Sequence, residues 1–199
     1  MEVVLLIAVL IVSVVVHEVA HAWQARREGD DTADRLGRIT LNPLPHLDPV
    51  GSVIVPLVLH FTGSGFLFGW ARPVPVNPAN YRSPVWGDIR VSMAGIVSNL
   101  GLAVLSTFAL AIAFKAQSVL GPLGGTTADA AQAAYYCVLI NLVLAFFNLV
   151  PIPPLDGSRV MAWILPKTLR GSYVQLERYG MLLVMLFIFS GTGQRFLFD

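Results

Sequence analysis

The sequence predicts an all-α polytopic membrane protein, and three observations carry that expectation. Of 199 residues, 55% are hydrophobic and only 13% are charged, about half the charge of an ordinary soluble domain. Mean hydropathy is +0.69. Several apolar runs reach the roughly 20 residues needed to cross a hydrocarbon core about 30 Å thick.

The first run covers residues 3–23 and is long enough to span. Ala20-His21-Ala22 resembles a signal-peptide cleavage site, but the preceding Met1-Glu2 carries no Lys or Arg, so a retained helix is expected. Residues 26–49 are polar and turn-rich. Within them Ile39-Thr40-Leu41, bounded by Gly37 and Asn42-Pro43, has the composition of a short strand. Residues 50–61 are apolar but short for a span. With Gly63-Ser64-Gly65 and a second apolar patch at 66–70, they suggest a re-entrant hairpin over 50–70, ahead of the proline-rich stretch 72–78. Residues 89–114 and 130–150 read as clear spans. Pro151, Pro153 and Pro154 must end the second of these, because proline lacks an N–H and clashes with the preceding turn. A short amphipathic piece at 158–165 follows, and a last span is expected over 179–198, interrupted by Gly191-Thr192-Gly193. No polar stretch, repeat or low-complexity tail marks a second domain, so 1–199 is read as one integral membrane unit. A net charge of +1 offers no basic stripe for nucleic acid. The single cysteine, Cys137, lies in an apolar run and reads as a small hydrophobe.

The chemistry-bearing residues lie in the first run. His17-Glu18-Val19-Ala20-His21 places two imidazoles four residues apart, on one side of a helix, where both can grip one metal ion. Glu18, one position on, can reach water beside the ion. This is the H-E-x-x-H pattern of zinc metalloproteases. Lone membrane histidines often just bond neighbouring helices. Three polar groups together on an apolar helix are costly enough to favour function. Catalytic zinc takes three protein ligands and leaves a position open, so a third ligand is needed. His46, in a proline-rich loop, and His60, at the end of a short apolar run, read as loop or interface residues. Asp156 is the better candidate. It follows the proline-stiffened stretch 148–155 and precedes Gly157, which permits close backbone approach. Its plainer role is an N-cap for the helix that follows.

Charge distribution separates these roles. Arg26, Arg27, Arg35 and Arg38 follow the first span, and Arg72, Arg82 and Arg90 lie before or at the very start of the second. Only Lys115 lies between the second and third, while Arg159, Lys167, Arg170 and Arg178 follow the third. Lys and Arg in short loops mark the cytoplasmic side. His17, His21 and Asp156 then fall at the cytoplasmic ends of their spans, with His17 roughly 9–15 Å inside the helix end at 1.5 Å per residue.

His17-Glu18-Val19-Ala20-His21, Gly95-Ile96-Val97-Ser98-Asn99 and the stretch 148–157 together resemble the site-2 protease family of intramembrane zinc metalloproteases. The stretches 29–32, 37–43, 46–49 and 69–78 resemble its compact prokaryotic branch, without an inserted PDZ-like or C-terminal nucleotide-sensing domain. The resemblance implies a three-helix catalytic core with additional span(s). It implies one Zn²⁺ held by His17, His21 and Asp156, with Glu18 as general base. Asn148 is implied to orient substrate or stabilise the oxyanion. Asn99, with Ile39, Leu41, Val74 and Val76 on membrane-associated strands at 36–41 and 71–76, is implied to bind substrate. Implied partners are single-span membrane protein substrates and the lipid bilayer, in regulated intramembrane proteolysis or remnant signal peptide clearance. The implied location is the inner membrane of a prokaryote. The alternative is a membrane metal-binding or metal-transport protein using the same three ligands, although transporters more often show internal repeats, and none is visible here.

Overall fold

The computed structural model describes residues 2–61, 70–121 and 124–189. Helix α1 spans Glu2–Glu28 and is followed by the single turn α2 (Thr32–Arg35). A π-helical turn at Pro49–Ile54 leads into α3 (Val55–Phe61). Then come α4 (Pro84–Leu120), α5 (Thr126–Leu149), α6 (Asp156–Ile164), α7 (Lys167–Gln175) and α8 (Gly180–Phe189). Among the described residues three helices are long and apolar enough to cross a membrane: Val4–Glu28, Pro84–Val119 and Thr127–Leu149. Helix α4 packs against both α1 and α5, and α6 packs under α4.

The packing has the signature of helices in lipid. Most contact positions are small or polar: Ala22, Ala25, Ala145, Ser13, Asn99 and Asn141 are all buried, with Ile96, Val91 and Val15 among them. Large side chains such as Leu105, Phe108 and Ile112 point outward. Lipid tails give apolar side chains no reason to hide, so close backbone approach and interhelical hydrogen bonds hold such bundles. Asn141 on α5 donates to Ser13 Oγ on α1 at 2.8 Å.

Boundaries differ from expectation in instructive ways. Helix α1 continues five residues beyond the apolar run, through Gln24 to Glu28, which places His17 about 16 Å from its end at 1.5 Å per residue. Helix α4 begins at Pro84 behind Ser83, where a missing N–H costs nothing. The last span expected over 179–198 is helical from Gly180 to Phe189, and its remainder lies outside the described residues.

Two expectations are corrected. No β-strand occurs among the described residues, so Ile39, Leu41, Val74 and Val76 do not sit on strands at 36–41 and 71–76. The physical reason is backbone supply: Pro73, Pro75 and Pro78 have no N–H to give a ladder. The remaining groups of this stretch are committed elsewhere. Arg72 N–H donates to His46 O, Val74 N–H to Glu18 and Asn77 N–H to Asp30. The re-entrant hairpin over 50–70 is likewise not supported. Its described part is helical, and 62–69 lies outside the described residues. The two ends of that stretch do meet, since Trp70 N–H donates to Gly51 O at 3.2 Å and Ser52 Oγ donates to Trp70 O at 2.8 Å.

The loop between α1 and α4 is organised by one buried carboxylate. Asp30 is fully buried and accepts from the Thr32 N–H and hydroxyl, Asn77 N–H and Asn80 Nδ2. Burial opposes its charge, but these hydrogen bonds outweigh burial and hold its pKa below the ordinary carboxyl value.

Candidate metal centre

The helical period sets the centre's first two members. His17 and His21 lie one turn apart on the buried flank of α1, and their Nε2 atoms are 3.0 Å apart. Asp156 arrives from the far end of the chain. It is the first residue of α6, with Leu155 in the N-cap position and no side-chain capping bond. Its Oδ2 lies 3.2 Å from each imidazole Nε2. The N-cap role considered for Asp156 is therefore absent, and the carboxylate faces the histidines instead. Gly157 makes this possible: a Cβ there would sit 2.2 Å from the carbonyl oxygen of Leu149, at the end of α5.

Both imidazoles are steered from α4. His21 Nδ1 lies 2.7 Å from Val91 O, and His17 Nδ1 lies 2.9 Å from Asn99 Oδ1. A carbonyl oxygen only accepts, so each Nδ1 carries a proton and the Nε2 of each ring is the atom turned inward. With both rings in the neutral tautomer, two Nε2 lone pairs and a carboxylate oxygen converge, and the buried Asp156 Oδ2 lies 3.2 Å from both Nε2 atoms. Such a triangle repels itself unless a cation fills it. Its sides of 3.0, 3.2 and 3.2 Å suit tetrahedral zinc, whose ligands at about 2.0–2.1 Å stand about 3.3 Å from one another. The donor set of two imidazoles and a carboxylate also suits zinc. Gly95 lets α4 approach: a Cβ there would lie 2.5 Å from both His17 Cε1 and His21 Nε2.

Glu18 lies beside this triangle. Its Oε2 accepts the Val74 N–H at 2.8 Å, and its Oε1 has no partner among the described residues. Asn148 is in the last turn of α5, where its Nδ2 donates to Leu144 O at 3.0 Å. Asn99 is fully buried behind His17. Val74 is buried against Ala22 and Ala33 with Ile39 and Val76 packed on that cluster, while Leu41 is exposed. His46 is buried, with Nε2 on Thr40 O, and takes no part in the centre. The sequence reading missed two contributors: Val91 O and the Val74 N–H. Both are backbone groups, which carry no residue signal.

Comparison with known proteins bears on the family. The model of Peptidase family M50 matches residues 109–191, the part holding Asp156. YwhC of Bacillus subtilis (strain 168), named as a candidate zinc metalloprotease, is 39% identical over 94% of this chain and 81% of its own length. Rip2 of Mycolicibacterium smegmatis, similarly named, is 29% identical over 98% of this chain and 71% of its own. MJ0611 of Methanocaldococcus jannaschii, also so named, is 34% identical over 49% of this chain and 44% of its own. No solved structure matches significantly. With a relative at 39% identity covered over 81% of its length, the chain belongs to peptidase family M50, the site-2 protease family that its motifs resemble.

Proposed function

We propose that this membrane protein is an intramembrane zinc metalloprotease that hydrolyses peptide bonds in or beside the transmembrane segments of single-span membrane proteins. The observation that carries the reading is the convergence of three potential ligand atoms, from His17, His21 and Asp156, on the flank of a helix apolar enough to span. The names of YwhC, Rip2 and MJ0611 support zinc as the ion.

His17, His21 and Asp156 hold the ion, with Asn99 and Val91 O fixing the two rings. Zinc held there supplies a Lewis acid that polarises the scissile carbonyl and brings the pKa of water toward about 7. Glu18 accepts the proton of the attacking water as its oxygen bonds to the carbonyl carbon. It returns that proton to the amine nitrogen as the C–N bond breaks. The carboxylate is arranged for this work, with one oxygen anchored on Val74 N–H and the other free to exchange a proton. Asn148, by exchanging its bond to Leu144 O for one to substrate, orients the substrate or donates to the developing oxyanion. Helical carbonyls are already hydrogen-bonded, so the substrate segment must unwind locally before attack, and Gly or Pro within it eases that step. The arginine-rich loops favour a centre on the cytoplasmic side, and the bacterial relatives favour an inner membrane. Substrates cut in regulated intramembrane proteolysis, or remnant signal peptides, fit such a centre.

The test is cleavage of a single-span model substrate by the detergent-solubilised protein, with zinc measured per chain. Wild type should cut, chelator should stop it and added zinc should restore it. Glu18→Gln should keep its zinc and lose cleavage. Chelator-insensitive cleavage, or a zinc-loaded Glu18→Gln protein that still cuts, would remove the proposal. Zinc flux in proteoliposomes without cleavage would favour transport.

A further inference from the structure

Arg38 has no role in the chemistry above, yet it is a buried cation close to the centre. Only 8% of it is exposed, and no carboxylate lies within ion-pair range of it among the described residues. Its Nε–H is buried without a partner. Buried charges are ordinarily paired, because desolvation is expensive. Arg38 instead donates through one terminal nitrogen to Arg72 O at 2.9 Å and to Pro73 O at 3.3 Å.

The second contact is the informative one. Pro73 O and Val74 N–H belong to the same peptide unit, and Val74 N–H donates to Glu18 Oε2 at 2.8 Å. In a trans peptide the C=O and N–H point in opposite directions. The guanidinium therefore sits at the negative end of that peptide dipole and the carboxylate at the positive end. Each hydrogen bond polarises the peptide in the sense that strengthens the other. The local sequence makes the arrangement exclusive. Pro73 and Pro75 have no N–H, so Val74 supplies the only backbone donor between Arg72 and Val76. Burial of the Val74 side chain against Ala22, one turn beyond Glu18 on α1, fixes the peptide's position. Arg38 is itself held by the end of α2. Gly37 at φ +65° donates to Asp34 O and Arg38 N–H donates to Ala33 O, the two bonds of a Schellman closure. The Arg38 pKa is lowered by burial and then by Arg72, while Glu18 acts in the opposite direction.

We propose that Arg38 is a positioning residue for Glu18, acting through the Pro73–Val74 peptide. The inference rests on the reading of Glu18 as general base. One carboxylate oxygen is pinned by a polarised N–H so that the other is presented in a single orientation. Loss of the guanidinium leaves the zinc ligands untouched and loosens the base.

The test uses the full chain in detergent with the single-span model substrate, and reads kcat and KM separately, with zinc content and thermal midpoint. Arg38→Met should keep one zinc per chain and lower kcat on the order of 10- to 100-fold while KM changes little, as expected for an interaction that matters in the transition state. Arg38→Lys should recover part of the loss. Val74→Pro, which removes the N–H, should lower kcat similarly, and the Arg38→Met/Val74→Pro double variant should be no worse than the poorer single. Arg35→Met, at an exposed arginine paired with Asp31, should behave as wild type. In protein labelled with ¹⁵N-valine, the Val74 amide proton should move upfield in both Arg38→Met and Glu18→Gln. This readout holds even for an inactive variant. Wild-type kcat in zinc-loaded Arg38→Met, losses confined to KM, full additivity in the double variant, or an unmoved Val74 resonance would each overturn the proposal. Glu18→Gln separates the two claims. If it is inactive while Arg38→Met cuts normally, only the positioning role fails. If it cuts, the general-base reading fails with it.

Discussion

Gly95→Ala probes how closely α4 must approach the metal centre. The added methyl carbon would lie 2.5 Å from His17 Cε1, 2.5 Å from His21 Nε2 and 2.7 Å from His17 Nδ1, against 3.4–4 Å for ordinary contact. A shortfall of about 1 Å in a packed interior has to be relieved by movement. Neither ready movement leaves the centre intact. The rings cannot turn away without leaving Val91 O and Asn99 Oδ1. Helix α4 cannot retreat without carrying both of those acceptors with it. Overpacking of this kind costs about 1–3 kcal/mol, and loss of such outer partners typically lowers metal affinity about 10- to 100-fold. A 10- to 100-fold loss is about 1.4–2.8 kcal/mol, so the two estimates agree. The assay is zinc competition against a chromophoric chelator in detergent, with circular dichroism as a check on helix content. Gly101→Ala, six residues on in α4 with nothing within 4 Å of the new methyl, is the control and should bind zinc as wild type does. A folded Gly95→Ala protein with zinc affinity within about twofold of wild type would refute the argument from close approach.

Further outcomes follow from the same contacts. Asn99→Ala removes the acceptor of the His17 Nδ1 proton and should weaken zinc binding about 10-fold in the same competition assay, with helix content unchanged. Asp156→Asn replaces the anionic ligand with a neutral amide and should leave the purified protein with well under one zinc per chain by elemental analysis. Asp30→Asn should lower stability at pH 7 by about 2–3 kcal/mol, because hydrogen bonds from at least three residues converge on a buried carboxylate. The pKa of Asp30 is depressed in the fold, so this contribution is present above the unfolded carboxyl pKa of about 3.9 and fades as pH falls through the lower folded value. Melts of wild type and Asp30→Asn should therefore converge only in acid.

Three of the spans and the pairing of His17 with His21 were legible because each rests on a local pattern. Apolar length announces α1, α4 and α5, and a four-residue spacing announces His17 and His21. Asp156 needed more: a proline-rich helix stop, and a charge count that put it at the depth of the histidines. The supporting contacts were not legible. His17 meets Asn99 across 82 positions and His21 meets Val91 O across 70. Such pairs arise only once α1 and α4 pack, and a backbone carbonyl leaves no trace in residue identity. The stretch 71–76 shows how a pattern can mislead. Val74 and Val76 alternate as in a strand, but the intervening prolines remove the donors a ladder requires. The one N–H left between them, that of Val74, goes to the Glu18 carboxylate instead.

Zinc X-ray absorption on the purified full chain tests the central claim most directly. It should report one ion per chain bound by two imidazole nitrogens and carboxylate oxygen at about 2.0–2.1 Å, with no sulfur. A sulfur scatterer at about 2.3 Å, for which Cys137 is the only thiol in the chain, or a single imidazole in the shell, would contradict it.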